Sequence, residues 1–325
     1  VRRLEAREVL ELDAADPYWN NRYTQLTPGP LHASWQALQS PGIHLSLDDW
    51  NQGLMIRADP PSGSFVVAAP RDERTRLFSR NRLVERHQAI ALMSEAEVDV
   101  RTAGPAQLVV CVLPSEHILS DAEALGVDAS ARTDTEGIVE FANARARDEI
   151  AGTLRALAVD LLARHEVGPL PAARILAAAS LCSDSLLRAS PRFEDRMSPA
   201  ARVTAAARAR DFIDAHPSEV TSIADLCRIT GTRERSLYMG FLELTGLSPT
   251  VYLRVRRLHC VRAELSREGN PPSVTEAATR HGFWHLGRFA DHYRKLFGEL
   301  PSQTLRRARG LSQRAWQRPD LRCRS

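Results

Sequence analysis

Apolar and polar positions change their period along this chain, and the change marks its organisation. Near the start they alternate: Leu31, Ala33, Trp35 and Ala37 lie two apart, as do Ile43, Leu45 and Leu47 after Pro41-Gly42. A period of two puts one face of an extended strand against a core. Residues 64–69 and 107–113 are short apolar runs bounded by Pro and Gly, again of strand length. These segments predict an antiparallel β barrel or sandwich. From Glu140 the spacing becomes helical. Ile150, Leu154, Leu157 and Leu161, then Ile175, Ala179, Cys182 and Leu186, fall on either side of Gly168-Pro169, which predicts a helical hairpin. Both stripes exceed what one small barrel needs as cover, so they are expected to form a two-fold dimer interface. A polar stretch with two prolines, 188–199, follows and reads as a linker. The remainder is helical in period to about Gly310, and an Arg-rich tail is expected to be disordered. The expected division is therefore 1–190, a linker at 191–200, a helical domain at 201–310 and a basic tail at 311–325.

The helical domain contains one unit twice. Ser222 and Asp225 have the spacing of a capping box, in which the hydroxyl caps one backbone N–H and the acid reaches back to another. Ser273 and Glu276 repeat it 51 residues later, and Cys227 and Ala278, then Gly231 and Gly282, keep that offset. Each of those glycines stands where a helix ends in a left-handed turn. Leu237, Phe241, Gly246 and Pro249 then recur 52 residues on as Phe289, Tyr293, Gly298 and Pro301. Each unit is a short capped helix, a Gly turn and a longer helix. That is helix-turn-helix architecture, about 222–246 and about 273–298, whose second helix enters the DNA major groove. Between the units, Pro249 suits a first helical turn, and Val251, Val255, Leu258, Val261 and Leu265 form an apolar stripe. This predicts a rigid connecting helix over 249–267.

Charge strengthens the reading. Of 325 residues, 1–199 carry 21 arginines against 28 acidic residues, while 200–325 carry 22 basic residues against 12 acidic. A basic half joined to an acidic half suits a nucleic-acid-binding module attached to something with another task. No apolar run approaches the roughly 20 residues of a membrane helix. Residues 1–5 lack the apolar core of a signal peptide, and five scattered cysteines form no C-x-x-C pair. A cytoplasmic protein with free thiols is expected.

The residues from Gly282 to Phe289 (Gly-Phe-Trp-His-Leu-Gly-Arg-Phe), those from Tyr293 to Gly298, Pro301-Ser302 and the upstream unit resemble the AraC/XylS family of bacterial transcription regulators over about 203–309. The resemblance implies an α+β chain. An N-terminal antiparallel, cupin-like barrel or sandwich with a helical hairpin serves effector sensing and dimerisation. An all-α DNA-binding domain with two helix-turn-helix motifs follows. It further implies double-stranded promoter DNA, a small-molecule effector, RNA polymerase and a second copy of the chain as partners, and activation as the outcome. Met239 stands where family members frequently carry a basic residue, and Cys227 replaces a usual alanine.

On the two second helices, Leu237, Phe241 and Leu244, and Phe289, Tyr293 and Leu296, are assigned to the core. The family's base-contacting positions fall on Arg235, Tyr238 and Met239; Ser236 beside them is a further DNA-binding candidate, and His285, Leu286, Arg288 and Asp291 on the second helix are candidates for the groove. Arg288 is singled out because arginine reads guanine bidentately; the competing reading pairs it with Asp291 or Glu276. Arg294 and Lys295 are expected on phosphates. Phe283 and Trp284 are expected to pack beneath the turn. In the first domain Trp35, Trp50, Leu54, Ile56 and Phe65 are candidates for an apolar effector pocket. His281 and His285 mimic a metal pair, but Gly282 interrupts the helix that would align them. No metal, cofactor or catalytic constellation is expected, so the chain is not read as an enzyme. The alternatives are an enzyme on a cupin-like barrel fused to a DNA-targeting module, and a DNA binder without an effector.

Overall fold

The computed structural model describes residues 2–15, 19–40, 43–93, 97–124, 126, 137–141, 143–164, 201–219, 222–267 and 269–316. The chain divides into two compact units, the first of residues 1–27 and 31–198 and the second of residues 28–30 and 199–325.

The first unit contains two antiparallel sheets. One orders its strands β1 (Arg2–Ala6), β3 (Ala33–Ser40), β4 (Ile43–Trp50), β11 (Ala106–Pro114), β6 (Ser64–Pro70), β9 (Gln88–Met93) and β12 (Ile138–Glu140). The other runs β2 (Arg22–Gln25), β5 (Leu54–Ala58), β10 (Val98–Thr102), β7 (Leu77–Ser79) and β8 (Arg82–Leu83). Neither sheet closes on itself, so the unit is an open sandwich and not a barrel. Helices α1 (Val9–Ala15), α2 (Ser115–Ala124) and α3 (Ala144–Arg164) complete it.

The apolar runs at 64–69 and 107–113 are strands covered on both faces, which is why they do not alternate. On β6, Phe65, Val67 and Ala69 point to one core, shared with Val109, Cys111 and Leu113 of β11 and with Ile150, Ala151, Leu154 and Ala158 of α3. Val66 points the other way, with Leu108 and Val112, into a second core with Leu54, Ile56, Val98 and Val100 of the smaller sheet. Helix α3 thus places Ile150, Leu154 and, in part, Leu157 on its own sheet, which corrects the expectation that these members of the stripe are surplus; the side chain of Leu161 lies outside the described residues. The expected second limb, 175–186, and the linker lie outside the described residues.

The second unit contains α4 (Ala201–Ala215), α5 (Ile223–Thr230), α6 (Glu234–Thr245), α7 (Pro249–Leu265), α8 (Val274–Arg280), α9 (Leu286–Phe297) and α10 (Pro301–Trp316). Helix α7 begins with a Ser248 cap and Pro249 in its first turn, as the sequence implies, and stops at Leu265. Helix α10 runs past Gly310, so residues 311–316 are helical where a disordered tail is expected; 317–325 lie outside the described residues.

Candidate functional site

Both helix-turn-helix motifs are set up by local chemistry. Ser222 accepts from the Asp225 backbone N–H while Asp225 accepts from that of Ser222, and Ser273 and Glu276 do the same. Two of the orphan donors at each helix start are thereby satisfied. Helix α5 ends on Gly231 in the left-handed region, with φ 65°. In the second motif the cap is His281 and the left-handed residue is Gly282, with φ 78°. These turns aim α6 and α9.

Each aimed helix buries one face completely. Leu237 and Phe241 are fully buried and Leu244 nearly so; Phe289, Tyr293 and Leu296 match them. Behind α9 the rings of Phe283, Phe289, Tyr293 and Phe297 form a ladder with centroids 5.0, 5.8 and 4.7 Å apart. Behind α6 the packing is closer. A Cβ on Gly240 would lie 2.1 Å from the backbone oxygen of Arg202, so α4 rests directly on the helix backbone. Gly240 has no distinctive sequence signal, because its requirement comes from a helix nearly forty residues away.

Buried polar groups brace this scaffold. Arg256 pairs with Asp214 at 2.7 Å, and the Tyr252 hydroxyl donates to the same carboxylate at 2.8 Å. Burial, followed by the Asp214 charge, pushes the Tyr252 phenol well above its ordinary range. Under the second motif, Glu299 accepts from Arg307 and Thr304 and pairs with Arg262 at 3.1 Å. Burial alone would raise its carboxyl, but those hydrogen bonds and the two arginine charges outweigh it and hold the carboxyl below its usual range. His281 is buried between Ser218 and Glu264, 3.1 Å from each, whereas His285 is exposed at the start of α9.

The opposite faces are open. On α6, Arg235, Tyr238 and Met239 are exposed and Ser236 is half-buried. On α9, His285, Leu286, Arg288, Asp291, Arg294 and Lys295 are all exposed. Arg288 forms no ion pair with any described residue. Asp291 pairs instead with Arg294 at 3.2 Å, and Glu276 is engaged in its cap, so the competing protein-bound reading of Arg288 fails. His292 registers the local field: burial, then the charges of Arg254, Lys295 and Arg288 against that of Asp291, hold its imidazole below the ordinary range.

Trp284 needs correction. Phe283 does pack beneath the turn, against Phe289, but Trp284 is 75% exposed beside Leu286. Gly282 reverses the chain, and only one of two adjacent aromatics can then point inward.

A family model described as a helix-turn-helix domain matches residues 226–307, from α5 into α10. "XylDLEGF operon transcriptional activator 2" of Pseudomonas putida is 46% identical over 99 residues, which is 30% of this chain and 63% of that protein. Residues 226–307 are an AraC/XylS-type DNA-binding domain. A second P. putida relative, "XylDLEGF operon transcriptional activator 3", is 46% identical over 101 residues, 31% of this chain and 30% of its own length. A solved structure described as a probable AraC family transcriptional regulator from Rhodopseudomonas palustris CGA009 is 36% identical, covering 32% of this chain and 97% of that one, with a TM-score of 0.31. The chain spans less than two thirds of the length of these curated relatives, and the matches to them cover about 30% of it.

In the first unit a cavity opens between the two sheets. Its empty volume is about 650 Å³, including the open mouth. Of the candidate effector residues, Trp35, Trp50 and Ile56 line it. Leu54 is in the same inter-sheet core but not on the cavity wall, and Phe65 points to the other core, under α3. Sequence reading missed the polar wall: His44, Ser46 and Asp48, at alternate positions of β4, all face the cavity and are all buried. No helix among the described residues is long and apolar enough to cross a membrane.

Proposed function

We propose that this protein is a sequence-specific transcription regulator that binds promoter DNA through both helix-turn-helix motifs and senses a small molecule in its first unit. The observation carrying this is the contrast on α6 and α9: one face of each is buried to the last residue while the other presents Arg235, Tyr238 and Met239, or Leu286 and Arg288, to solvent. Recognition helices place such residues against base edges. Arg294 and Lys295, in the last turn of α9, suit phosphates. Helix α7 has 17 residues, hence a length of about 26 Å. A rod of that length suits two motifs entering successive major grooves, about 34 Å apart.

The relatives' names support activation; RNA polymerase as a further partner and the cytoplasm as the setting belong to the same proposal. The regulator is proposed to work as a homodimer. The outward face of α3, where Val159 is 53% exposed, is one described surface for that contact. The DNA-facing residues remain those named from the sequence, with Trp284 added, and the effector-facing ones reduce to Trp35, Trp50 and Ile56. The curated relatives reported above are transcriptional activators, which supports a regulator over an enzyme. Footprinting on the DNA flanking its own gene, with and without metabolites, tests the proposal. Two protected half-sites about one helical turn apart are expected; uniform, sequence-independent protection would refute specific regulation.

A further inference from the structure

The chemistry of the cavity wall narrows what the first unit senses. Accepting that the inter-sheet cavity is the sensing site, we propose that it takes a small molecule with an apolar body and a protonated amine, and that it turns carboxylates away. Three features point to this. Asp48 lines the cavity at 7% exposure, and no lysine or arginine does so among the described residues. An anion entering beside that carboxylate meets like charge in a low-dielectric space, whereas an ammonium meets its complement.

The second feature is aromatic. Trp19, Trp35, Trp50 and Tyr23 surround the same space. The His44 ring lies against two of them, stacked on Trp35 at 6.1 Å and edge-on to Trp19 at 6.4 Å. Indole faces attract cations, most strongly where water is excluded. The Trp50 ring is held in place, because its Nε1–H donates to Thr102 Oγ1 at 3.1 Å and the ring cannot turn freely.

The third feature is an unmet donor. Trp19 is 91% buried, and its Nε1–H has no hydrogen-bond partner among the described residues. A buried donor of this kind costs free energy until something accepts from it. A carboxylate would be an acceptor, but one neutral N–H does not outweigh the Asp48 charge in the same cavity. A hydroxyl on the amine's own skeleton satisfies Trp19 without that penalty. The remaining wall, including Ile56, Leu77, Leu92 and Val100, is aliphatic and accepts the body of the molecule.

The test is calorimetric titration of the full chain with four probes of similar shape: benzylamine, 2-amino-1-phenylethanol, benzyl alcohol and benzoate. Benzylamine is expected to bind at least tenfold more tightly than benzyl alcohol, and benzoate not at all. The amino alcohol should bind several-fold better than benzylamine, and Trp19→Phe should remove that gain alone. Asp48→Asn should cancel the advantage of the amine over the alcohol. If that variant does not fold, judged by thermal unfolding, the charge series on the unmodified chain still decides the class. Benzoate binding as tightly as benzylamine, or amine and alcohol binding equally, overturns the proposal while leaving the cavity as a binding site. Binding that survives the cavity-filling Ala68→Phe, or no binding by any probe, removes the cavity as the sensing site and the proposal with it.

Discussion

Leu237, Phe241 and Leu244 of α6 occupy the same three positions as Phe289, Tyr293 and Leu296 of α9, 52 residues on, and all six are buried. One position outward the helices diverge. The first shows Arg233, Arg235, Tyr238 and Met239, and its helix carries Glu234 in its first turn. The second shows Trp284, His285, Leu286 and Arg288, then Arg294 and Lys295 in its last turn, where cations also favour the helix dipole. The braces differ too. The first motif rests on close backbone packing at Gly240, the second on an aromatic ladder and the Glu299 network. A repeated scaffold constrains only the positions that touch the other helices. The exposed positions are free to divide the work, with the second motif carrying most of the charge-based readout and the first adding shape and apolar contact.

That division can be broken at several points. Gly240→Leu should have the largest effect. Its side chain has no space against α4, so the first motif should separate and two-site protection shrink to one half-site, with a stability loss of about 1–3 kcal/mol or more. Chemical denaturation with footprinting reads both. Intact two-site protection at unchanged stability would show that the close packing does not matter.

Arg288→Ala comes next. Discrimination between specific and scrambled duplexes should fall by about 1–3 kcal/mol with the fold unchanged. Equal weakening on both duplexes with a flatter salt dependence would reassign Arg288 to the phosphate backbone. Trp284→Ala should weaken binding to both duplexes by about 1 kcal/mol without moving the thermal midpoint, since the residue is 75% exposed. A lowered midpoint would return Trp284 to the core.

Glu299→Gln sharpens the comparison of braces. The Glu299 carboxyl titrates below its ordinary value of 4.5 in the folded protein. Its contribution is therefore complete above about pH 4.5 and is lost as the pH falls through the folded value. The variant should lose about 1–2 kcal/mol at neutral pH, between an exposed and a buried pair. Its deficit should narrow on acidification, as followed by urea melts across pH 3–7. A pH-independent deficit would mean that the carboxylate charge contributes nothing. Met239→Arg should be the smallest change, tightening both duplexes slightly and steepening the salt slope by about one unit.

Much of the second unit was legible in the sequence because its determinants are local. Capping boxes, left-handed glycines and a 3.6-residue stripe each act within about one turn, so Ser222, Gly231 and Phe241 announce their roles without knowledge of their neighbours. The family-type face on Arg288 followed from the same period. The orientation of Trp284 did not, because the turn at Gly282 can send either of two aromatics inward.

In the first unit, alternation identified β3 and β4, and apolar runs identified β6 and β11, but neither signal gave their environment. Leu45 and Leu47 read correctly as inward, yet inward here means under α3. The residues that alternate with them, His44, Ser46 and Asp48, are also buried, on the cavity side. Phe65 was misplaced for the same reason. A strand's alternation determines which residues share a face, and that was in the sequence by itself. Which face meets a helix, and which meets another sheet across an open cavity, depends on strands dozens of residues apart pairing into layers. Only the tertiary structure could decide that, because burial belongs to the packed layers and not to the strand.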